Sequence, residues 1–552
     1  MKTIFTTLLI IAASLTALAQ APSWVWAKSA GNMWYEEATA IAIDASGNTY
    51  ITGFYNEANP TPYTISFGTS TITSVLGKDA FVAKYDPTGT LLWVRSAGGT
   101  GDDLGKGIAV DASGNVYITG QFSSTSMVFD TVTISTTAFN DAFIAKYNSS
   151  GDILWAKKVG GAGGDYGYSI GVDAASNCYI TGYFNSSTVI IGSSTLSNPF
   201  SGTGGYQFFI AKYDAFGNPV WGKATTSSSQ STGNDIAVDA AGNSYVTGFF
   251  SSAATFDAIS LTGAGKDIFI AKYDPSGTAV WAKSANGTAE DMGMSIAIDA
   301  SGNSYMTGYF KGNSIVIGGT TLTNSGAPDS DILVAKYDVA GTMLWVKKPV
   351  AYGFDMPLGI AVDALGDCYV TGYFKGSSII FGTTTLFSSG ATGPIGDFFT
   401  ATYSTTGTAM WAKNLVSSAG AWGAGVVVDA VYATYYTGFF EDLSLAFGST
   451  TLNASNREIY IAKLGPSSTV GIDGVFSNDQ MIVFPNPATG SVTFTHKNNS
   501  KVELSNVFGV VIYTAKADGE QTTLDVSHYA TGTYFLKIVS DVGSVTKKIV
   551  IR

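Results

Sequence analysis

Short apolar runs separated by glycine-containing turns follow one another from Trp24 to Leu464. Four types of run recur. The first is seen in Gly107–Asp111 (GIAVD), the second in Val116–Phe122 (VYITGQF), the third in Ala80–Asp86 and Asp141–Tyr147, and the fourth in Leu91–Ser96. Short runs rich in apolar, β-branched and aromatic residues and bounded by turn residues are typical of strands. The pattern therefore predicts a unit of four antiparallel strands.

Three markers show that this unit occurs seven times, at intervals of 60 to 67 residues. They are a tryptophan (Trp26, Trp93, Trp155, Trp221, Trp281, Trp345, Trp411), an aspartate (Asp44, Asp111, Asp173, Asp239, Asp299, Asp363, Asp429) and a glycine (Gly53, Gly120, Gly182, Gly248, Gly308, Gly372, Gly438). Seven four-stranded units predict a seven-bladed β-propeller. A β-solenoid is the alternative, but its units are usually about 20–30 residues long.

The phase of the repeat predicts how the propeller closes. The pattern begins with a fourth-strand run, Trp24–Lys28, and stops after a third-strand run, Ile459–Leu464. We expect the N-terminal strand to complete the last blade, because closure removes exposed sheet edges. The propeller is predicted to span residues 24–464.

Composition narrows the class of protein. Glycine accounts for 65 of 552 residues, and aromatic and charged residues for 13% each, which excludes a mainly disordered chain. The net charge of −12 argues against a nucleic-acid partner. The histidines, His496 and His528, both lie near the C-terminus, so histidine-dependent catalytic and zinc sites are excluded from the repeats.

The two ends of the chain have patterns of their own. Residues 1–19 combine a basic start, an apolar stretch and a small-residue cleavage pattern, which predicts a signal peptide, with a buried N-terminal helix as the alternative. No stretch is long enough to predict a transmembrane helix. Residues 465–478 are predicted to be a linker, and the short alternating runs in residues 479–552 predict a small C-terminal β-sandwich.

The repeats resemble the SBBP family, the seven-bladed β-propeller repeats of secreted bacterial proteins. Asp111–Gly120 (DASGNVYITG) carries the family core. The resemblance covers residues 24–464 and implies a fold and a secreted setting but no single biochemical activity.

The C-terminal segment resembles the type A sorting domain of the type IX secretion system of Bacteroidetes. The matching motifs are Phe484–Gly490, Val502–Gly509, Leu524–Ser527, Ala530–Tyr534 and Lys547–Arg552. This resemblance implies the type IX machinery as a partner. It also implies passage through the outer membrane, followed by removal of the domain and release or surface attachment.

The repeated side chains are interpreted mainly as structural. We expect the seven tryptophans to pack adjacent blades, with sugar stacking as the alternative. The repeated aspartates are expected to accept backbone hydrogen bonds in their turns. The lysines and arginine of the third and fourth strands are expected to form a solvated outer edge, with an anion-binding belt as the alternative.

Five carboxylates occupy one repeat position, eight residues before the repeated aspartate: Glu36, Asp103, Asp165, Asp291 and Asp355. They are expected to form a broken ring near the propeller axis. Calcium, the one candidate cofactor, takes hard oxygen ligands of this kind. The alternative is that each carboxylate caps its own glycine-rich loop.

The long second-to-third-strand connections are expected to form extra hairpins on the same face as these acidic loops. Long loops on a rigid scaffold commonly bind ligands. The candidate contact aromatics are Trp34, Tyr63, Tyr206 and Trp422.

The leading functional hypothesis is a noncatalytic, secreted or surface-displayed binding propeller for a glycan or a protein. One alternative is a carboxylate-dependent carbohydrate-active enzyme, since glycosidases need only two acids. The other is a purely structural surface or matrix component.

Overall fold

The computed structural model describes residues 22–32, 35–56, 62–136, 139–227, 229–388, 396–415, 417, 419–441, 444–466, 483–496, 500–506, 510–517, 519, 521–540 and 543–552. These residues form an all-β, propeller-like fold without helices. Consequently the described part of the chain has no helix of the kind that spans a membrane. Two compact units divide at Ser467 and Ser468.

The described residues of the first unit form seven antiparallel sheets that each contain four repeat strands, numbered here in chain order. Six are four-stranded, and three further short strands extend sheet 4 to seven. Sheet 1 comprises Glu37–Ile43, Thr49–Tyr55, Asp79–Tyr85 and Leu91–Ala97; sheet 2 Asp103–Val110, Val116–Phe122, Asp141–Tyr147 and Ile153–Val159; sheet 3 Asp165–Val172, Cys178–Phe184, Gln207–Tyr213 and Pro219–Ala224; and sheet 4 Ser231–Val238, Ser244–Phe256, Ile259–Tyr273 and Ala279–Gly287. Sheet 5 comprises Asp291–Ile298, Ser304–Phe310, Asp331–Tyr337 and Met343–Lys347; sheet 6 Asp355–Val362, Cys368–Phe374, Asp397–Tyr403 and Ala409–Leu415; and sheet 7 Ala421–Val428, Thr434–Phe440, Glu458–Leu464 and Trp24–Ala30.

The seven sheets follow one another in a closed cycle. The first strand of each sheet contacts the first strand of the next, and that of sheet 7 contacts that of sheet 1. Trp24–Ala30 pairs antiparallel with Glu458–Leu464 as the fourth strand of sheet 7. This pairing is the one that the phase of the repeat predicts.

Extra hairpins lie in the connections between second and third strands, as expected from their length. Six are pairs of short strands: Thr64–Phe67 with Ser70–Thr73, Ser126–Phe129 with Val132–Ser135, Thr188–Ile191 with Ser194–Ser197, Ser314–Ile317 with Thr320–Thr323, Ser378–Phe381 with Thr384–Phe387, and Ser444–Phe447 with Thr450–Asn453. Ser314–Ile317 also pairs with the fourth strand of sheet 4, Ala279–Gly287. In sheet 4 the long second and third strands form the hairpin themselves. Two short strands, Thr226–Ser227 and Val350–Ala351, pair with hairpin strands nearby.

The repeated tryptophans link adjacent sheets. Six indole N–H groups donate to a carbonyl in the third-to-fourth-strand turn of the next sheet, at 3.0–3.3 Å, as Trp93 does to Ser149. Each indole also lies near a tyrosine of the second strand, with ring centroids 6.2 Å apart for Trp93 and Tyr50. The structural interpretation of these residues therefore accounts for both their ring and their N–H group.

Trp411 is the exception, because its buried Nε1 has no hydrogen-bond partner among the described residues. The next sheet is sheet 7, whose third and fourth strands come from opposite ends of the sequence. No turn joins them, so the acceptor carbonyl present in the other sheets is missing there. The exception thus follows from the way the cycle closes.

The repeated aspartates hold the first-to-second-strand turns, as expected. The Asp44 carboxylate accepts hydrogen bonds from the backbone N–H groups of Ser46 and Asn48, both at 2.9 Å, and from the Tyr50 hydroxyl.

The third-strand lysines differ from expectation. Lys84, Lys146, Lys272 and Lys336 are buried, and their ammonium groups lie over tyrosine rings at 4.6–5.0 Å. These lysines are part of the core between sheets rather than a solvated edge, because cation–π contact and the turn aspartates replace the lost water.

The C-terminal unit has two sheets around one core. One sheet contains Val483–Phe484, Ser491–Thr495 and Gln521–Asp525. The other contains Val511–Ala517, Ser500–Asn506, Gly532–Ser540 and Gly543–Ile551. Buried residues from both, including Phe494 and Leu536, form a single hydrophobic cluster.

Candidate functional site

A cavity of about 450 Å³ lies where the first strands of all seven sheets meet. Each of these strands has a register irregularity at the same repeat position, for example between Gly105 and Gly107 in sheet 2. β-Bulges of this kind re-aim side chains. The residues at the seven bulges all line the cavity: Thr39, Lys106, Tyr168, Asn234, Met294, Leu358 and Ala424.

These bulge residues are the part of the repeat in which every copy differs. Lysine, tyrosine, asparagine and threonine make one stretch of the ring polar, and methionine, leucine and alanine make the other apolar. Burial lowers the pKa of Lys106, and the negative charge of Glu37 opposes that shift. Only the bulge position varies in this way, because the lining residue two positions later is isoleucine in six sheets and valine in sheet 7.

Asp235 joins three sheets at the wall of this cavity. One carboxylate oxygen accepts from Ser169 Oγ of sheet 3 at 2.5 Å and the other from Ser295 Oγ of sheet 5 at 2.7 Å. Backbone N–H groups of Ile236 and Ile296 also donate to it. Burial raises the pKa of Asp235, and these hydrogen bonds oppose the rise. Its role is to tie the sheets together.

Aromatic residues surround one end of the cavity. In six of the seven sheets an aromatic residue follows the repeated Thr-Gly pair: Phe54, Tyr183, Phe249, Tyr309, Tyr373 and Phe439. Each pairs across the sheet with a residue near the start of the first strand, as Tyr183 does with Tyr166 and Phe439 with Trp422. Because all six occupy the same register position, they lie at the same level of their sheets. We call this set and its stacked neighbours the aromatic belt.

Stacking makes the belt continuous over parts of its length. Tyr183 stacks on Tyr166 with centroids 4.6 Å apart and contacts Tyr206 at 4.5 Å. Tyr373 and Trp422 are nearly parallel, at 4.6 Å and 5°. Trp422 in turn contacts Phe439 at 4.9 Å.

A lysine or arginine side chain lies over the aromatic ring at five of the six belt positions. At the sixth position the ring of Tyr206 lies over Tyr183 instead. Lys78 and Lys106 lie over Phe54, Lys266 over Phe249, Lys311 over Tyr309, Lys375 over Tyr373 and Arg457 over Phe439, all within 4.5–6.0 Å. Glu290 bridges two of them, at 3.2 Å from Lys266 and 2.6 Å from Lys311. Arg457 pairs with Glu37 and Glu441, which joins sheet 7 to sheet 1. Phe54, Phe249, Tyr309, Tyr373 and Phe439 are only 3–4% exposed beneath these cations. The mouth of the cavity therefore presents charged groups, with partly exposed aromatic rings at Tyr166, Tyr183, Tyr206 and Trp422.

Two of the four predicted contact aromatics lie in this belt. Tyr206 and Trp422 are half-buried and stack as described above. Trp34 lies outside the described residues. Tyr63 is only 7% exposed, and its hydroxyl donates to Glu36 Oε1 at 2.9 Å. The expectation that Tyr63 offers a contact surface is therefore wrong, because its ring packs in a core and its polar atom serves a buried carboxylate.

The five predicted calcium ligands do not converge on one another. Among the described residues no group of three or more histidine, cysteine, aspartate or glutamate side chains could hold a metal ion. Instead, Asp103, Asp165, Asp291 and Asp355 each face an aspartate of the preceding sheet, and Glu36 is buried beside Tyr63. The loop-capping interpretation has direct support, since Asp103 accepts from Ser124 Oγ at 2.6 Å and Asp165 from Ser186 Oγ at 2.6 Å.

Sequence reasoning missed the bulge residues and most of the belt. The signal for the bulges is a position five residues before the repeated aspartate that varies while small residues commonly flank it. The signal for the belt is an aromatic after Thr-Gly in all repeats except the one with Gln121.

Two family models match parts of the chain. Residues 482–552 match the model described as "Secretion system C-terminal sorting domain". Residues 92–121 match the model described as "Beta-propeller repeat". The sorting domain implies export by the type IX secretion system and a secreted or cell-surface location.

Curated relatives are distant and longer. An uncharacterized WD repeat-containing protein of Acanthamoeba polyphaga mimivirus is 24% identical over 533 residues, covering 80% of this chain and 38% of the relative. Regulatory protein FlaEY of Caulobacter vibrioides is 23% identical over 285 residues, covering 48% of this chain and 29% of the relative. The chain thus spans less than two-fifths of the length of either.

Solved structures with similar architecture have low similarity scores. PorZ, an essential surface component of the type IX secretion system of Porphyromonas gingivalis, has a TM-score of 0.28 and 10% identity, covering 93% of this chain and 81% of PorZ. Sqt1 from Chaetomium thermophilum has a TM-score of 0.38 and 9% identity, covering 86% of this chain and 96% of Sqt1.

Proposed function

We propose that this chain is a noncatalytic binding protein exported by the type IX secretion system. Its seven sheets are the blades of a closed seven-bladed β-propeller, and its C-terminal unit is the β-sandwich sorting domain. The closed cycle of first-strand contacts and the strand Trp24–Ala30 in sheet 7 support the closed ring. The match of residues 482–552 supports the sorting role.

The aromatic belt is the observation that carries the binding proposal. The half-buried rings of Tyr206 and Trp422, beside charged hydrogen-bonding groups, suit a glycan or a protein ligand. Ring faces bind apolar surface, while lysine and glutamate groups bind hydroxyls or backbone groups. Tyr206 and Trp422 are the belt residues predicted to contact the ligand. The bulge residues line the adjoining cavity, and their polar and apolar stretches supply selectivity for the ligand.

A binding role is favoured over hydrolysis by where the carboxylates lie. Asp79, Asp103, Asp267 and Asp291 are at most 1% exposed, whereas a glycosidase needs two acids that reach one sugar bond. The charged groups at the cavity mouth are mostly paired with each other, as Glu290 is with Lys266 and Lys311. We therefore assign no catalytic residue.

A glycan array and a screen of surface proteins, both probed with the mature propeller, test this proposal. Hydrolysis is monitored for every glycan bound. We expect Trp422→Ala and Tyr206→Ala to weaken binding at least tenfold without changing the melting temperature by more than a few degrees. Phe216→Ala is the matched control, because Phe216 is an aromatic residue 77% exposed in a third-to-fourth-strand turn.

Three results would contradict the proposal. Turnover of a bound glycan would identify an enzyme instead. Equal loss of binding in the Phe216→Ala and Trp422→Ala variants would place the ligand away from the belt. The absence of any ligand across both screens would favour a structural surface component.

A further inference from the structure

Seven equivalent gaps separate the adjacent sheets. At each gap, two residues face each other. One lies in the third strand of a sheet, at the start of its paired segment, and the other lies at the start of the first strand of the next sheet. The pairs are Asp79–Asp103, Asp141–Asp165, Gln207–Ser231, Asp267–Asp291, Asp331–Asp355, Asp397–Ala421 and Glu458–Glu36. A backbone hydrogen bond across the gap fixes how the two residues face each other. Asp103 N donates to Lys78 O at 2.7 Å, and Asp165 N donates to Asn140 O at 2.8 Å.

Four of these gaps contain two aspartates, all of them at most 1% exposed. Two buried carboxylates at close range repel each other and have lost their hydration, so such a pair needs a compensating positive charge or a shared proton. The four gaps can be compared directly, because the same fold positions the same two residues in each.

In two of the four gaps the compensating charge is a lysine that lies in the fourth strand or directly after it. Lys158 Nζ lies 2.9 Å from Asp141 Oδ2, and Lys348 Nζ lies 2.7 Å from Asp331 Oδ2. Both lysines stand three residues after the repeated tryptophan. The gap that contains Gln207 and Ser231 has no carboxylate, and an alanine, Ala224, occupies the lysine position there.

In the other two gaps a serine occupies the lysine position. Ser96 and Ser284 pair with third-strand residues in the same register as Lys158. Among the described residues, no lysine or arginine forms an ion pair with either aspartate of the Asp79–Asp103 or Asp267–Asp291 gap, in contrast to Asp141 and Asp331. Lys311, whose backbone N–H donates to Asp291 Oδ1 at 3.1 Å, has its ammonium group bound to Glu290 at 2.6 Å.

The carboxylates in these two gaps converge, and each gap contains an unpartnered oxygen. Asp79 and Asp103 both face the Gly99 N–H group. Asp267 accepts from Gly287 N at 2.9 Å, and Asp291 Oδ2 lies 2.1 Å from the point where a Cβ on Gly287 would stand. Among the described residues, Asp79 Oδ1 and Asp291 Oδ2 are buried without a hydrogen-bond partner, as are Asp141 Oδ1, Asp331 Oδ1 and both carboxylate oxygens of Asp355 in the lysine gaps. Burial raises the pKa of each of these two aspartates to about 7, and the facing carboxylate contributes.

Backbone carbonyl oxygens also lie beside these two gaps. The Ser126 carbonyl lies 2.3 Å from the ideal Cβ position of Gly99, and the Ser314 carbonyl lies 3.3 Å from that of Gly287. Both carbonyls belong to the first residue of an extra hairpin. Carboxylate and carbonyl oxygens together with water are the ligands that Ca²⁺ prefers.

We propose that the Asp79–Asp103 and Asp267–Asp291 gaps each bind one Ca²⁺ ion, and that the ammonium groups of Lys158 and Lys348 take the place of that ion in the two other aspartate gaps. The cation in every case holds two neighbouring sheets together. Two of the four aspartate gaps are thus calcium sites, and in the other two a lysine ammonium group occupies the position of the ion.

Calorimetric titration of the full chain, stripped with EDTA and titrated with CaCl₂, tests the proposal. We expect two bound ions per chain and a rise in melting temperature of several degrees. Asp103→Asn and Asp291→Asn should each reduce the number of bound ions to one. Asp165→Asn is the matched control and should leave it at two, because Lys158 already occupies that gap.

Replacing the ion with a lysine gives a second test, independent of variants that weaken the fold. Ser96→Lys with Ser284→Lys should abolish calcium binding, and the calcium-free double variant should melt at or above the temperature of the calcium-free native protein. The proposal is overturned if the native chain binds no calcium, or if Asp103→Asn and Asp291→Asn retain both ions. A melting temperature that depends on pH equally with and without calcium would instead identify a shared proton in each gap.

Discussion

Gly151 lies against the indole of Trp93, at the contact that links sheet 1 to sheet 2. Its backbone has φ +83°, and a Cβ added there would lie 2.8 Å from Trp93 Cδ2 and 3.0 Å from Cε3. The neighbouring Ser149 carbonyl accepts the indole N–H at 3.1 Å, so the ring has little freedom to move away. Gly151→Ala should therefore destabilise the protein in two ways.

The two costs can be estimated separately. Placing an L-residue in the left-handed region costs about 1–2 kcal/mol. Forcing a methyl group into a packed contact costs about 1–3 kcal/mol. We expect Gly151→Ala to lower the free energy of unfolding by about 2–5 kcal/mol in total.

Gly204 separates the two contributions. It has the same φ of +83°, but nothing lies within 4 Å of its ideal Cβ position. Gly204→Ala should therefore cost only the backbone part, about 1–2 kcal/mol. Urea unfolding followed by tryptophan fluorescence measures both variants. If the two lose equal stability, the indole contact does not constrain Gly151 and the packing part of the reasoning fails.

Two further predictions concern buried carboxylates. In EDTA, stability should fall as the pH rises from about 5 to 8: the pKa values of Asp79 and Asp291 are raised to about 7, so the folded state binds more protons than the unfolded state there. Melting temperatures measured across this range test it, and a rise with pH would contradict it. Asp235→Ala should cost about 2–4 kcal/mol, because it leaves buried hydroxyl and N–H donors unpaired, while Asp235→Asn should cost less. Urea unfolding decides, and an alanine variant as stable as the native chain would show that the three-sheet network is dispensable.

The sequence was sufficient to predict the strands because one motif occurs seven times. Its markers located the turns held by Asp44 and its equivalents, and the offset of the pattern predicted the pairing of Trp24–Ala30 with Glu458–Leu464. Periodicity alone could not predict the bulges, because an extra residue in a first strand changes the side-chain direction without changing the spacing of the markers.

The site was harder to predict because its contacts cross from one repeat to the next. Asp79 and Asp103 are both visible in the sequence, yet only the packing of sheet 1 on sheet 2 brings their carboxylates together. Tyr63 was wrongly expected at the surface because its sequence position in a long connection does not reveal the bond to buried Glu36. The sequence marks Trp422 as a candidate contact aromatic, which stays a prediction, but it does not reveal that the stacking partner, Tyr373, comes from the preceding sheet.

The closing strand of sheet 7 has a consequence for the order of folding. Trp24 pairs with Leu464, so the earliest strand to be synthesised waits for a partner 440 residues later in the chain. Bringing such distant segments together carries a large loop-closure cost, and contacts of this kind slow folding. Until the ring closes, the third strand of sheet 7 exposes an unpaired edge that can add a strand from another molecule. We expect closure to be the last and slowest step, and the interval before it to be the period when the chain most needs protection from aggregation.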